Sequence, residues 1–260
     1  MIAGIFHPGS GLGNQLHRYV ATRALAEEKG YEWGMIGSEH FKGASFMALD
    51  MGKQFDGTYT VGAGGEIFPI SDMKRFTEKK VVEDGVDIRS YDPDFFFVED
   101  NTIIDGEFQD ERYFCHMGKY LDEWLPVEDL GMPNDLCVIG FRGGEFQHFP
   151  ELFLTDEYWN KAIETMTYIN PQMRFIVVTD DPDLARRMFP QEIPVSHEIG
   201  LDWRMVRFAR YLIIANSSFY ILPSLLNENA KKIIAPKYWA RRNIGQWSTR
   251  QNHYSKFSYI

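Results

Sequence analysis

Apolar runs of strand length alternate with helical patterns through the second half of the chain, and this alternation limits the fold more than any other feature. Strands that alternate with helices form βαβ units, which have parallel strands and bind ligands at the strands' carboxyl ends. The sequence therefore predicts a Rossmann-like α/β domain. The segments are "LCVIGF" (136–141), a helix over 156–170, "RFIVVT" (174–179), a helix over 182–189, "LIIAN" (212–216), a helix through 226 and "KKIIAP" (231–236).

The start of the chain shows the same strand, loop and helix unit. "MIAGIF" predicts a buried strand, "GSGLGNQL" (9–16) a glycine-rich turn, and the apolar spacing after it a helix. The turn is not a dinucleotide fingerprint, which would need glycine at Asn14, and it lacks the Gly-Lys-Ser/Thr ending of a P-loop. Two interpretations stay open: the glycines permit positive φ and close packing, or they let a ligand approach the backbone.

The 260 residues are enough for two compact domains. We expect an N-terminal Rossmann-like domain over 1–130 and a C-terminal one over 131–240, because "EDLGMPND" (128–135) has turn residues and no periodicity. The polar and aromatic residues 241–260 are expected to form a tail that packs back on the first domain.

Charge and cysteine content narrow the class of partner. The net charge is −10, and residues 1–130 carry 12 Lys and Arg against 24 Asp and Glu, so nucleic acid is an unfavourable partner. Two cysteines cannot form a disulfide framework or a four-thiolate metal site. The start of the chain has no secretory signal pattern, and no apolar stretch is long enough to span a membrane. We expect a cytoplasmic protein, with peripheral recruitment to a membrane surface left open.

Three segments at predicted strand ends carry candidate chemistry. Arg142, followed by Gly143 and Gly144, offers a fork of donors suited to a phosphate, or it is a surface arginine in a turn. Ser217 or Ser218 caps a helix, whose N-terminus also favours an anion. The Asp-x-Asp of "TDDPD" (179–183) could hold a divalent cation, but an acidic residue before Pro is the ordinary start of a helix. We therefore expect no bound metal.

Six segments, taken in order, resemble motifs of the α-1,2-fucosyltransferase family and of its relatives, the α-1,6- and protein O-fucosyltransferases. The matches are collinear over nearly the whole chain. The resemblance implies an α/β fold of GT-B type: two Rossmann-like domains facing across a cleft, the first on the acceptor side and the second binding a nucleotide-sugar donor. The segments are "GSGLGNQL" (9–16), "DGEFQDERYF" (105–114), "GFRGGE" (140–145), "VVTDD" (177–181), "LIIANSSFY" (212–220) and "IIAPKYW" (233–239).

The same resemblance implies an inverting glycosyltransferase that needs no metal or other cofactor and transfers fucose from GDP-fucose to a glycan hydroxyl. By position, Arg142 contacts the diphosphate and stabilises the departing GDP. Gly11 and Gly13 belong to the loop beside the reaction centre, and Asn14 lies near the transferred sugar. Glu145 aligns with a family aspartate and is the candidate base, or else it orients Arg142.

The nucleoside side of the implied site comes from later segments. Asn216, Ser217, Ser218 and Phe219 hold phosphate and nucleoside, and Asp202 reaches the guanine. The chain departs from the family pattern at Gly140, where the family has His, at Gly143, where it has a second Arg, and at a Trp pair that is missing near 221–223. Two alternatives therefore stay open: the same fold with another sugar nucleotide, and a non-catalytic nucleotide- or glycan-binding module.

Overall fold

The computed structural model describes residues 1–54, 60–61, 67–68, 73–83, 86–89, 91–189, 193–241, 247–249 and 254–260. The chain divides into two compact units, Met1–Pro126 and Val127–Ile260. Within the described residues, no helix combines the length and the apolar character that a membrane span requires.

A parallel four-stranded sheet forms the centre of the first unit, in the order β2-β1-β8-β5. The sequence predicts β1 and the helix after it, but it does not predict β2, β5 or β8, which complete the sheet. The elements are β1 (Ile2–Ile5), α1 (Leu12–Lys29), β2 (Trp33–Ile36), β3 (Thr60–Val61), β4 (Ile67–Phe68), β5 (Lys74–Thr77), β6 (Lys80–Glu83), β7 (Val86–Arg89), β8 (Thr102–Asp105) and α2 (Tyr120–Trp124).

The second unit contains a six-stranded parallel sheet, in the order β11-β10-β9-β12-β13-β16. When only the six strands of this sheet are numbered, in chain order, the order is 3-2-1-4-5-6, which is typical of Rossmann folds and confirms the predicted fold class. The elements are β9 (Leu136–Phe141), α3 (Asp156–Ile169), β10 (Arg174–Thr179), α4 (Pro182–Met188), β11 (Val195–Ser196), α5 (Ile199–Phe208), β12 (Tyr211–Ile214), α6 (Ser218–Leu226), β13 (Lys232–Ala235), β14 (Tyr238–Arg241), β15 (Trp247–Thr249) and β16 (Ser258–Tyr259).

The end of the chain differs from the prediction of a tail on the first unit. β16 adds to the edge of the second sheet, where Ser258 pairs with Ile234 and Tyr259 with Ala235. The prediction was wrong for these residues because a polar, aromatic strand at a sheet edge shows no apolar periodicity. The division between the units, after Pro126, lies a few residues before the predicted one.

Helix α6 lies directly against β9 in the core of the second unit. The Tyr220 hydroxyl donates to the backbone oxygens of Phe141, at 2.8 Å, and Val178, at 3.2 Å. A Cβ on Gly140 would stand 2.6 Å from the Tyr220 ring. The fucosyltransferase pattern has a histidine at this position. In this chain the Tyr220 ring fills the space that a side chain would need, so the residue is glycine.

Candidate functional site

Two of the predicted segments meet at the carboxyl edge of the second sheet. β9 and β12 are neighbours, with Gly140 paired with Ile214. Arg142 comes directly after β9, and Ser217 follows shortly after β12. The strand order reverses between these two strands, and such switch points are where open α/β sheets bind ligands.

Arg142 is held between two carboxylates. Its Nη1 pairs with Asp180 at the end of β10, and its Nη2 donates to Glu145 Oε1 at 2.9 Å. Its guanidinium also lies over the ring of Phe146, 5.3 Å from the centroid. The side chain keeps 27% of its surface exposed, so it is fixed in direction and still reachable from solvent.

The two glycines after Arg142 are explained by the packing of this loop. Gly144 has a φ of +26°, and a Cβ there would overlap a carboxylate oxygen of Asp180. A Cβ on Gly143 would lie 2.7 Å from Asp181 Cβ, while the Gly143 amide donates to Asp180 Oδ1 at 3.0 Å. The loop therefore needs glycine to close around the carboxylate that holds Arg142.

The Asp-x-Asp segment starts a helix, which confirms the simpler interpretation of its sequence. Asp181 caps α4, where its Oδ1 accepts from the Leu184 amide at 3.0 Å, and Pro182 begins the helix. Asp183 pairs with Arg186 at 3.0 Å. Across the described ranges, no group of three or more His, Cys, Asp or Glu residues is arranged to hold a metal ion.

Ser217 occupies the N-cap position of α6, as the sequence predicts. In the described part of the chain its hydroxyl makes no capping hydrogen bond, and the first turn of α6 has no acidic residue. The next two residues, Ser218 and Phe219, begin the helix, and Phe219 packs edge-to-face on Trp203, with 5.7 Å between ring centroids. Asn216 is buried and its Nδ2 donates to Leu152 O at 3.0 Å.

Asp202 lies inside the second unit rather than on its surface. It is 4% exposed, and its Oδ1 accepts from Ser196 Oγ at 2.5 Å. Burial raises the pKa of Asp202 to about 6. The structure thus gives this carboxylate an internal partner, and its predicted contact with the guanine would require it to become accessible.

The glycine-rich turn of the first unit connects β1 to α1. Gly9 has a φ of +81°, which favours glycine, whereas Gly11 has ordinary extended angles (φ −68°, ψ 153°). A Cβ on Gly11 would meet no atom of the described residues within 4 Å. Gly13 lies in the first turn of α1, where its oxygen contacts His17 Nδ1 at 2.8 Å, and Asn14 Oδ1 accepts from Gln109 at 3.1 Å.

Arg18, which the sequence reasoning missed, ties this turn to the segment after β8. Its Nη1 donates to Ser10 Oγ at 2.8 Å and its Nε to Gly106 O at 2.7 Å. Its Nη2 pairs with Glu107 at 2.8 Å. The sequence signal that could have identified Arg18 is its position on the face of α1 that carries apolar residues. A buried arginine needs several hydrogen-bond acceptors, so an arginine on such a face indicates a network of polar contacts.

Known proteins share this fold without recognisable sequence similarity. No protein-family model matches the chain, and no curated protein matches it in sequence. A structure of the fucosyltransferase NodZ from Bradyrhizobium matches with a TM-score of 0.50 at 10% identity, covering 89% of this chain and 94% of that one. NodZ α-1,6-fucosyltransferase soaked with GDP-fucose matches with a TM-score of 0.48 at 10% identity, covering 89% of this chain and 93% of that one. The E. coli heptosyltransferase WaaC with ADP has a TM-score of 0.49 at 11% identity, covering 100% of this chain and 93% of that one.

At such low identity, similarity to the Bradyrhizobium enzyme shows the fold and not the reaction. The chain has an α/β fold of the GT-B glycosyltransferase type, with a parallel Rossmann-like sheet in each of its two units.

Proposed function

We propose that the chain is an inverting, metal-independent glycosyltransferase that moves fucose from GDP-fucose to a hydroxyl of a glycan acceptor. The observation that carries this proposal is the placement of Arg142 and the N-terminus of α6 on neighbouring strands at the switch point of the second sheet. Both groups are positive, and together they suit the two phosphates of a nucleotide diphosphate.

The charges that develop in the reaction account for these groups. Breaking the bond between sugar and phosphate builds negative charge on the leaving diphosphate and positive charge on the sugar ring. Preorganised donors aimed at that negative charge stabilise the transition state, and no metal is needed where they suffice. Arg142 has five N–H donors, of which two donate to Asp180 and Glu145. The remaining donors can bind a phosphate while these two ion pairs hold the side chain in position.

Glu145 is better suited to orienting Arg142 than to acting as the base. Its Oε1 accepts from Arg142 Nη2 at 2.9 Å, and proton transfer from an acceptor hydroxyl would compete with that ion pair. We therefore assign it the orienting role, the second of the two roles that the sequence leaves open.

Gly11 supports a ligand beside the turn of the first unit. Glycine is an acceptable N-cap residue, but neither the backbone angles nor the packing require it there, because the angles suit any residue and the space is open. A residue without a side chain also leaves room for the close approach of a ligand. We propose that this ligand is a sugar, with Asn14 contacting it. In the second unit, we propose that Ser217, Ser218 and Phe219 contact the donor nucleotide.

A second candidate keeps the fold and uses a different sugar nucleotide. The observation that favours it is the Tyr220 ring, which occupies the space beside Gly140 where the fucosyltransferase pattern has a histidine. For either donor we also propose a cytoplasmic location and a carbohydrate acceptor, and recruitment to a membrane surface stays an open alternative.

A thermal-shift panel of GDP, UDP, ADP and GDP-fucose, each with EDTA and with Mn²⁺, tests the donor. We expect GDP and GDP-fucose each to raise the melting temperature as much in EDTA as in Mn²⁺. The expected stabilisation is about 2.7 kcal/mol at a free ligand concentration of a hundred times Kd. A response to UDP alone would support the second candidate. Turnover that EDTA abolishes and Mn²⁺ restores would overturn metal independence and implicate Asp181 and Asp183.

Release of GDP from GDP-fucose in water separates an enzyme from a binding module. An enzyme that stabilises the leaving diphosphate is expected to hydrolyse its donor slowly without an acceptor. Binding of GDP-fucose with no release above the uncatalysed rate would favour the non-catalytic module.

A further inference from the structure

A histidine stands at the carboxyl edge of the second sheet, two strands away from the strand that precedes Arg142. β10 lies between β9 and β11, and the three strands run parallel. His197 comes directly after β11, and Arg142 comes directly after β9. Neighbouring strands lie about 4.8 Å apart, so the ends of these two strands are separated by about 10 Å. A nucleotide whose phosphates contact Arg142 is long enough to extend to His197 with its nucleoside.

The imidazole of His197 is fixed by a hydrogen bond to the neighbouring strand. Its Nδ1 lies 2.7 Å from the backbone oxygen of Thr179, the last residue of β10. A carbonyl oxygen can only accept, so Nδ1 carries a hydrogen. The residue is exposed, and within the part of the chain that the structure describes Nε2 makes no hydrogen bond or ion pair. The ring therefore presents Nε2 to solvent in a fixed direction.

The short connection that carries His197 is held on both sides. Before it, Ser196 Oγ donates to Asp202 Oδ1 at 2.5 Å. After it, Glu198 caps α5, where its carboxylate accepts from two backbone amides of the first turn. A side chain that is already ordered loses little further entropy when it binds a ligand. The connection is thus preorganised for a contact at His197 Nε2.

The charges on either side of His197 favour an uncharged ligand group over a phosphate. Glu198 is its neighbour in the chain, and Asp180 follows Thr179, to which its ring is bonded. Carboxylates repel an anion, whereas the guanidinium of Arg142 attracts one. A nucleotide is therefore expected to place its phosphates at Arg142 and an uncharged part at His197.

A hydroxyl group suits Nε2 in either protonation state of the ring. With a hydrogen on Nδ1, Nε2 accepts when the imidazole is neutral and donates when it is protonated, and a hydroxyl can both donate and accept. We propose that His197 Nε2 binds a ribose hydroxyl of the donor nucleotide and makes the site selective for ribonucleotides. This inference rests on the proposed function and adds a contact to the nucleoside that the second unit makes by itself.

Calorimetric titration with GDP and with 2′,3′-dideoxy-GDP, which lacks both ribose hydroxyls, tests this contact. The main variant is His197→Asn, because the asparagine amide can still donate to the Thr179 oxygen while the atom equivalent to Nε2 is absent. It should weaken GDP binding by about 3- to 10-fold, the usual effect of one hydrogen bond, and leave binding of the dideoxy nucleotide unchanged. The unmodified protein should bind GDP more tightly than the dideoxy nucleotide.

His116→Asn, at a histidine of the first unit, is the matched control and should bind both nucleotides as the unmodified protein does. Melting curves establish that each variant is folded. Equal weakening of GDP and dideoxy-GDP in His197→Asn, or unchanged affinity for both, would overturn the proposal. A loss confined to GDP-fucose would assign the contact to the transferred sugar and would also overturn it. Equal affinity of the unmodified protein for GDP and dideoxy-GDP overturns it without any variant.

These outcomes can be told apart from failure of the proposed function. If UDP binds and GDP does not, the proposed donor is wrong, and UDP with 2′,3′-dideoxy-UDP provides the same comparison for His197. If no nucleoside diphosphate binds to the unmodified protein, the proposed function fails, and the role of His197 fails with it.

Discussion

A single guanidinium carries most of the positive charge proposed to meet the donor phosphates. Arg142 lies between Asp180 and Glu145, and these two carboxylates set its direction while leaving N–H donors for a ligand. Neither carboxylate could serve this purpose without the other, because the two ion pairs fix both ends of the guanidinium fork.

Arg142→Ala is expected to lower kcat by about 10²–10³-fold, or roughly 3–4 kcal/mol of transition-state stabilisation. Arg142→Lys should also be poor, because a point charge on a flexible stem does not reproduce the fork. The measurement is kcat and GDP affinity, each normalised to folded protein from the melting curve.

The matched control is Arg174→Ala, which breaks an arginine–aspartate pair with Asp135 at the opposite edge of the same sheet. This variant should keep full activity. Turnover close to wild type in Arg142→Ala would contradict its role at the diphosphate.

At the scale of the element, the turn between β1 and α1 contains two glycines with different backbone requirements, Gly9 and Gly11. Gly9 adopts a positive φ, whereas Gly11 has an extended backbone at the N-cap of α1. Serine is a good N-cap residue, so the helix alone would favour it over glycine at position 11.

Gly11→Ser is expected to leave stability unchanged or to raise it by a few tenths of a kcal/mol, because the hydroxyl can cap α1. The same change should lower turnover at least tenfold if a sugar approaches this backbone. Gly9→Ser is the control, and it should lose about 1 kcal/mol because serine is strained at positive φ. Melting curves and GDP release test both, and full activity in Gly11→Ser would argue against a ligand at this turn.

For the whole molecule, stability depends on pH through two carboxyl groups, those of Asp105 and Asp202, whose pKa values shift in opposite directions. Asp105 has a lowered pKa, so its contribution is present above the unfolded pKa of about 4 and is lost as the pH falls. Asp202 has a pKa raised to about 6, so the folded state binds its proton more tightly than the unfolded state does. Its contribution to stability therefore falls as the pH rises from about 4 to 6.

Asp202→Asn should remove the fall in stability that Asp202 causes as the pH rises from about 4 to 6, while keeping a polar partner for Ser196. The difference in unfolding free energy between wild type and variant is expected to fall with rising pH, by at most about 1.4 kcal/mol per pH unit between pH 4 and 6. Denaturant unfolding at several pH values measures this difference. A constant difference from pH 4 to 7 would show that the carboxyl group titrates normally.

The sequence by itself determined most local elements of the second unit and the class of fold. The strands predicted at 136–141 and 174–179 are β9 and β10, and the helix predicted at 156–170 is α3, which ends at Ile169. These predictions hold because periodicity and apolar runs reflect forces that act over a few neighbouring residues. The strand-end position of Arg142 follows from the same local information.

The tertiary structure alone decided which distant residues meet. It pairs Arg142 with Asp180, joins His7 to Asp105, encloses Asp202 and sets the Tyr220 ring against Gly140. It also pairs β16, at the end of the chain, with β13 of the second sheet. These contacts depend on the order in which strands lie side by side, and that order is fixed by the packing of the whole unit, which no local pattern of residues records.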